Sequence, residues 1–223
     1  SFGEMPLTAM LMPFAVLAFL SMSMVAIFQD NLKRLLAFSS VAQLGYMTLG
    51  IALATESGLS AGILHMFNHA IVKTGLFLSV GAMFYMTRST HLKDLAGIGQ
   101  RMPLTTFAFV LGGLALIGVP LTPGFISKWY LIQAVLERGD MIGYGLVISL
   151  LISSLFAVIY VWRVVEVAYF KPAPEGAPTG EAPLTLLVPV WIFIIGMFYF
   201  GVDTQLSVGF AKAAAAFLMG GGS

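Results

Sequence analysis

LSAGILHMFNHAIVKTGLFLSVGAMFYM, residues Leu59 to Met86, is an apolar run that carries His65, His69 and Lys73. A helix rises about 1.5 Å per residue, so about 20 apolar residues bridge the roughly 30 Å of bilayer hydrocarbon, and this stretch is long enough. The three basic residues stand four apart, so on a helix they form one slowly drifting column on a single face. An ionisable group at membrane depth costs several kcal/mol unless it meets water, a partner or the bundle interior, and such groups mark ion and proton routes. Two blander readings compete. The histidines can be polar glue between helices, with Lys73 snorkelling to an interface, or the two can ligate a metal or haem. Thirteen residues separate Lys73 from Met86, which places it near mid-span and weakens snorkelling. Without Cys, and without a third His on the run, no metal or cofactor site is assigned.

Working outward, the composition agrees with a membrane protein. Of 223 residues, 59% are hydrophobic and 9% charged, far below the near-25% charged share of soluble domains. Net charge is +1, so nothing points to a nucleic-acid surface, and zero Cys excludes disulfides, thiol catalysis and Cys-ligated clusters. The chain opens SFGEMPLT, with no initiator Met, basic n-region or signal-type cleavage site, and reads as a fragment or processed piece. Its closing GGGS resembles a flexible linker.

Taken in order, a first span runs from Leu7 to Phe28 through Pro13, and a second opens at Leu32, capped by Asp30 or Asn31, and reaches Ala54. The second span carries Ser39, Ser40, Gln43, Tyr46 and Thr48, residues commoner at helix contacts and cavity walls than facing lipid. After the His/His/Lys span comes a polar connection with a short amphipathic element expected over His91 to Ile98. The fourth span, from Leu104, holds Gly118, Pro120, Pro123 and Gly124 within seven residues. An unbroken helix does not tolerate that cluster, because each Pro removes a backbone donor and clashes with the preceding turn. The expectation is two half-helices joined by an unwound segment at Pro120 to Gly124, a device for ion sites and gates. Lys128 follows the break, with Ser127 as its candidate hydroxyl partner; a simple proline kink is the competing reading.

A fifth span, Ile142 to Phe170, carries Arg163 and Glu166 at i,i+3, expected to form a local ion pair. Residues 171–183 form a Pro/Gly-rich loop, and a sixth span covers Leu184 to Gly201. Leu206 to Met219 is too short to cross and is expected along the interface or cut off. The expected fold is therefore an all-α membrane protein of about six transmembrane helices, one of them broken. Lys33, Arg34, Arg88, Lys93, Arg101 and Lys171 fall on one side, against Arg138 and Lys212 on the other. That bias puts loops 29–34 and 87–103 in the cytoplasm.

DNLKRLLAFSSVAQLGYM, HMFNHAIVKTGLFLSVGAM and GVPLTPGFISKWYLI, in this order and separation, resemble the second half of the antiporter-like subunits shared by respiratory complex I and the Mrp cation/proton antiporters. The wording GFISKWYL is most similar to the Mrp branch of that family. The resemblance implies half of an inverted-repeat antiporter fold: residues 1–170 as the second five-helix repeat, 171–183 as a loop, and 184–223 as a C-terminal transmembrane helix and tail. It implies a bacterial inner-membrane protein with other membrane subunits, the lipid bilayer and protons, alone or together with Na+, as partners. Lys33 matches a family Lys near the cytoplasmic helix end, His65, His69 and Lys73 match the central relay, and Lys128 matches the Lys on the broken helix. The first repeat is missing, which puts complete translocation by this chain alone in question.

The mechanism expected is a proton half-channel running along His65, His69 and Lys73 with water and leaving past Lys128, gated by Gly118, Pro120, Pro123 and Gly124. Desolvation disfavours the charged form of an amine, so a buried lysine releases and regains protons, while histidine does so near neutral pH unaided. A purely structural subunit and a quinone- or haem-holding redox subunit are the alternatives. No Rossmann fingerprint, Walker loop or catalytic triad is present, so no NAD, flavin, nucleotide or catalytic site is expected, and in an oxidoreductase the electrons would pass through other chains.

Overall fold

Local chemistry sets the helix boundaries in the computed structural model, which describes residues 7–220. SFGEMP at the start and the last three residues of GGGS lie outside the described residues. The first apolar run becomes α1 (Leu7–Ile27), with Pro13 inside it. α2 (Leu32–Ala52) starts where the Asn31 side chain accepts from the Arg34 N–H at 3.2 Å, satisfying one of the donors a helix start leaves free. Thr55 does the same for Gly58, so α3 (Glu56–Thr87) extends beyond the 59–86 run. Its 32 residues reach about 48 Å, more than a bilayer core.

The amphipathic element expected over 91–98 is split into a 3-10 turn, Leu92–Leu95, and the one-turn α4 (Ile98–Arg101). α5 (Pro103–Ile117) and α6 (Pro123–Leu136) follow, then α7 (Met141–Phe170), α8 (Leu184–Val202) and α9 (Gln205–Leu218). Among the described residues, five helices, α1, α2, α3, α7 and α8, are long and apolar enough to cross a membrane. α5 and α6 in series make the sixth, broken crossing, interrupted over 118–122 rather than at Pro120–Gly124. Pro123 and Gly124 open the second half-helix.

α3 lies centrally, touching α2, α5, α6, α8 and α9, while α1 packs on α2 and α7. Phe14, Leu17, Leu151, Leu155, Trp162 and Ile192 point outward, the apolar surface a lipid-facing bundle requires. α9 is not loose: Val208 and Ala211 pack against Leu64 of α3.

Two polar devices tie the ends of the bundle. Leu32 N–H donates to Thr90 O and Leu92 N–H to Asp30 O, each at 2.8 Å, which staples the loop before α2 to the loop after α3. Glu181 accepts from Thr105 Oγ1 at 2.7 Å and from the Leu104 N–H, capping α5, while Arg101 donates to Pro178 O and Ala96 O, both at 3.0 Å. The Pro/Gly-rich loop is thus strapped across the start of α5.

The expected Arg163–Glu166 pair does not form. Arg163 instead donates to the carbonyls of Ile27 and Gln29 and pairs with Asp30, and Glu166 pairs with Lys171 at 3.2 Å. The carbonyls at the end of α1 have no helical donors, and a guanidinium fork serves several acceptors at once.

Candidate proton pathway

Pro120 and Leu121 create the acceptors at the centre of the site. In a continuous helix the amide of residue 120 would donate to Leu116 O, and that of residue 121 to Ile117 O. Pro120 has no N–H, and Leu121 sits at φ 71, outside helical geometry. Both carbonyls are therefore free at the C-terminal end of α5, where the helix dipole favours a cation. Lys128 Nζ takes them, donating to Leu116 O at 3.1 Å, Ile117 O at 2.8 Å and Ser154 Oγ at 3.1 Å. Its ammonium also lies 5.3 Å from the centre of the Tyr46 ring, within cation–π range.

Two glycines allow this approach. Gly118 adopts φ 96, and a methyl group there would lie 3.1 Å from Lys128 Cδ. A methyl group on Gly124 would collide with the Ala115 carbonyl oxygen, so only glycine lets α6 come this close to α5.

The column on α3 turns inward as the spacing predicts. His65 and Lys73 are 3% and 6% exposed, and His69 is half-buried. Lys73 Nζ donates to Leu36 O at 2.9 Å and to the Ser39 hydroxyl. His65 Nε2 meets Gln43 Oε1 at 2.9 Å and its Nδ1 meets Ser127 Oγ at 2.8 Å, and the His69 ring stacks at 6.4 Å from that of His65. Ser127 thus serves His65, and the hydroxyl beside Lys128 is Ser154, not Ser127 as the sequence suggested.

Ser127 Oγ is also 3.2 Å from Pro123 O. With Nε2–H donating to Gln43, neutral His65 accepts the Ser127 hydroxyl proton at Nδ1. When His65 takes a proton, Nδ1–H donates to Ser127, whose hydroxyl turns to Pro123 O. Both protonation states of the imidazole therefore keep their hydrogen bonds.

Asn68, 1% exposed, donates to Pro123 O at 2.9 Å, while its Oδ1 has no protein partner among the described residues. Asn68, His65, His69, Ser127 and Lys128 line a cavity of about 10 Å³, the lower limit for one water molecule. Beside it a groove of about 500 Å³, lined by His69, Lys73, Thr74 and Phe77, opens the column outward.

The structure so brings together His65, His69, Lys73 and Lys128 with Gly118, Pro120, Pro123 and Gly124. Lys33 stands apart, exposed, with its Nζ 4.2 Å above the Phe84 ring at the far end of α3. Ser39, Gln43 and Tyr46, expected as wall residues of the second span, do face the site. Ser40 and Thr48 bond back to their own helix, at Leu36 O and Leu44 O. Asn68 and Ser154 were missed, and nothing in the sequence marks them beyond a polar atom within an apolar run.

A broken helix bearing a buried lysine, packed on a helix with a basic column, defines an antiporter-like membrane subunit. The family described as NADH:quinone oxidoreductase/Mrp antiporter, TM, matches residues 4–154, and the chain belongs to it. NADH-quinone oxidoreductase subunit N of Desulforudis audaxviator is 40% identical over 196 residues, covering 82% of this chain and 38% of that protein. The F(420)H(2) dehydrogenase subunit N of Methanosarcina mazei is 32% identical over 219 residues, covering 92% of this chain and 44% of that protein. Among solved structures, a chain of the membrane-bound sulfane sulfur reductase, an archaeal respiratory membrane complex, superposes with TM-score 0.85 at 31% identity, over 96% of this chain and 42% of that one. A chain of the Mrp complex from a Dietzia species gives TM-score 0.85 at 23% identity, over 96% of this chain and 47% of that one, a likeness of fold. The chain thus spans less than half the length of these relatives, which are subunits of multi-subunit membrane complexes.

Proposed function

We propose that this chain moves protons, alone or in exchange for Na+, through a lysine- and histidine-lined half-channel, as one subunit of a complex I-like or Mrp-type membrane assembly. The observation that carries this reading is the convergence of Lys73, His69, His65, Ser127 and Lys128 on one buried polar seam ending at the broken helix. A proton enters at the groove beside His69 and Lys73, crosses by way of His65, and leaves past Lys128. Lys33, at the N-terminal end of α2, stands on the cytoplasmic side of this path. The unwound segment 118–122 is the gate, because moving Leu116 O and Ile117 O relative to Lys128 changes how well the ammonium is held.

In this reading residues 1–170 form the second of two repeats, 171–183 a loop, and 184–223 a C-terminal transmembrane helix and tail. The membrane is the bacterial inner one, with loops 29–34 and 87–103 cytoplasmic, as the Lys/Arg bias favours.

The test uses the assembled complex in proteoliposomes. Lys128→Ala and Lys73→Ala should each abolish proton-coupled flux, read with a pH-sensitive dye, while the complex still assembles. Normal flux in either variant refutes the role given to that lysine.

A further inference from the structure

The hydroxyl of Tyr160 is a polar atom in the α7 core that the histidine route does not use. Tyr160 is 0% exposed, and its OH has no hydrogen-bond partner among the described residues. Burying a polar group unpaired is unfavourable, so such a group calls for a reason.

Its surroundings supply one. The polar side chains that bear on it are Ser39 and Tyr46. Ser39 is the hydroxyl that Lys73 donates to. Tyr46 lies under the Lys128 ammonium, donates to Leu150 O at 3.3 Å, and faces Ser153 and Ser154. Ser154 accepts from Lys128. Ser39 and Tyr46 are seven apart, hence on one face of α2, about 10 Å apart along its axis. A helical side chain leans towards its own N-terminus, which carries the Tyr160 hydroxyl back towards the level of Ser153 and Ser154.

We propose that Tyr160 is the relay residue of a second polar route between the lysines, running Lys73, Ser39, Tyr160, Tyr46, Ser154, Lys128, beside the histidine column. This rests on the reading of the chain as a proton path. A hydroxyl both donates and accepts, so each can take a proton on one side and release one on the other. The Lys73 ammonium gives a proton to Ser39, each hydroxyl takes one proton and passes its own onward, and neutral Lys128 receives the last. No intermediate residue changes charge once the transfer is complete.

The experiment uses the whole complex in proteoliposomes and compares Tyr160→Phe, His65→Leu, the double variant and Lys128→Ala. Tyr160→Phe removes an unpaired polar atom, so thermal stability should hold or rise while flux falls about twofold, as for loss of one of two comparable paths. The double variant should fall to the level of Lys128→Ala. Normal flux in Tyr160→Phe, both alone and on the His65→Leu background, overturns the second route and leaves the first intact. So does a flux loss that only tracks lost stability. Normal flux in Lys128→Ala instead overturns the transport reading itself.

Discussion

Lys128 draws its acceptors from a helix that stops, and Lys73 from one that continues. Leu116 O and Ile117 O have no backbone donors among the described residues, because Pro120 lacks an N–H and Leu121 has left the helix. Leu36 O, by contrast, lies inside α2, where the following turn already claims it, and the hydroxyls of Ser39 and Ser40 also bond to it, each at 2.9 Å. Lys73 therefore shares an occupied carbonyl and leans on the Ser39 hydroxyl, beside an open groove. A break in a helix thus builds a seat for a cation, whereas an intact helix lends one only through a side chain.

The harshest way to break this contrast is to spoil the interruption. Gly124→Ala drives a methyl group into the Ala115 carbonyl, an overpacking expected to cost about 3 kcal/mol. It should lower the unfolding temperature of the complex and abolish flux together. Gly118→Ala is the gentler companion: it strains a φ of 96 and crowds Lys128 Cδ, so flux should fall more than stability. If both variants transport normally, the close approach of α5 and α6 has no part in holding Lys128.

A finer test removes one hydroxyl from each seat. Ser39→Ala leaves Lys73 with only the shared Leu36 carbonyl, a loss of about 1.4 kcal/mol and hence about tenfold in flux. Ser154→Ala leaves Lys128 its two free carbonyls, and the loss should be about twofold, near 0.5 kcal/mol. Equal effects, measured as initial rates in the same vesicles, would erase the distinction between the two seats.

Much of this was legible in the chain. The Pro/Gly cluster announces the interruption because proline's missing donor is a property of the residue itself, and the four-residue spacing of His65, His69 and Lys73 fixes a shared face wherever the helix packs. What was not legible depends on partners distant in sequence. Gln43 and Ser127 meet at His65 from two other helices, Ser154 reaches Lys128 from a third, and Tyr160 looks like core packing until its hydroxyl is found unpaired. Arg163 shows the same limit in reverse. Its nearest acid in sequence, Glu166, lost to Asp30 and the carbonyls of Ile27 and Gln29, at and just beyond the end of α1, that only the folded chain brings near.

The smallest expected effect lies at the α6–α7 connection, on the Lys128 side only. Asp140 caps α7 by accepting from the Gly143 N–H at 2.7 Å and pairs with Arg138 at 2.8 Å. The Arg138 side chain, with the Gly143 amide, holds its carboxyl below the usual aspartate range. A carboxyl so depressed stabilises the fold fully above the unfolded value, about 3.9, and the contribution disappears as pH falls through the folded value. Asp140→Asn keeps a capping oxygen but carries no charge to titrate. Its unfolding temperature should therefore lie slightly below that of the parent at pH 7, and the difference should close as acidification passes the unfolded value and then the folded one. Since Ser154 and Tyr160 hang from the helix that Asp140 starts, the same variant should leave the Lys73 seat untouched. A gap that stays constant with pH would mean that Asp140 acts as a neutral cap alone, and that its pairing with Arg138 adds nothing to the α6–α7 junction.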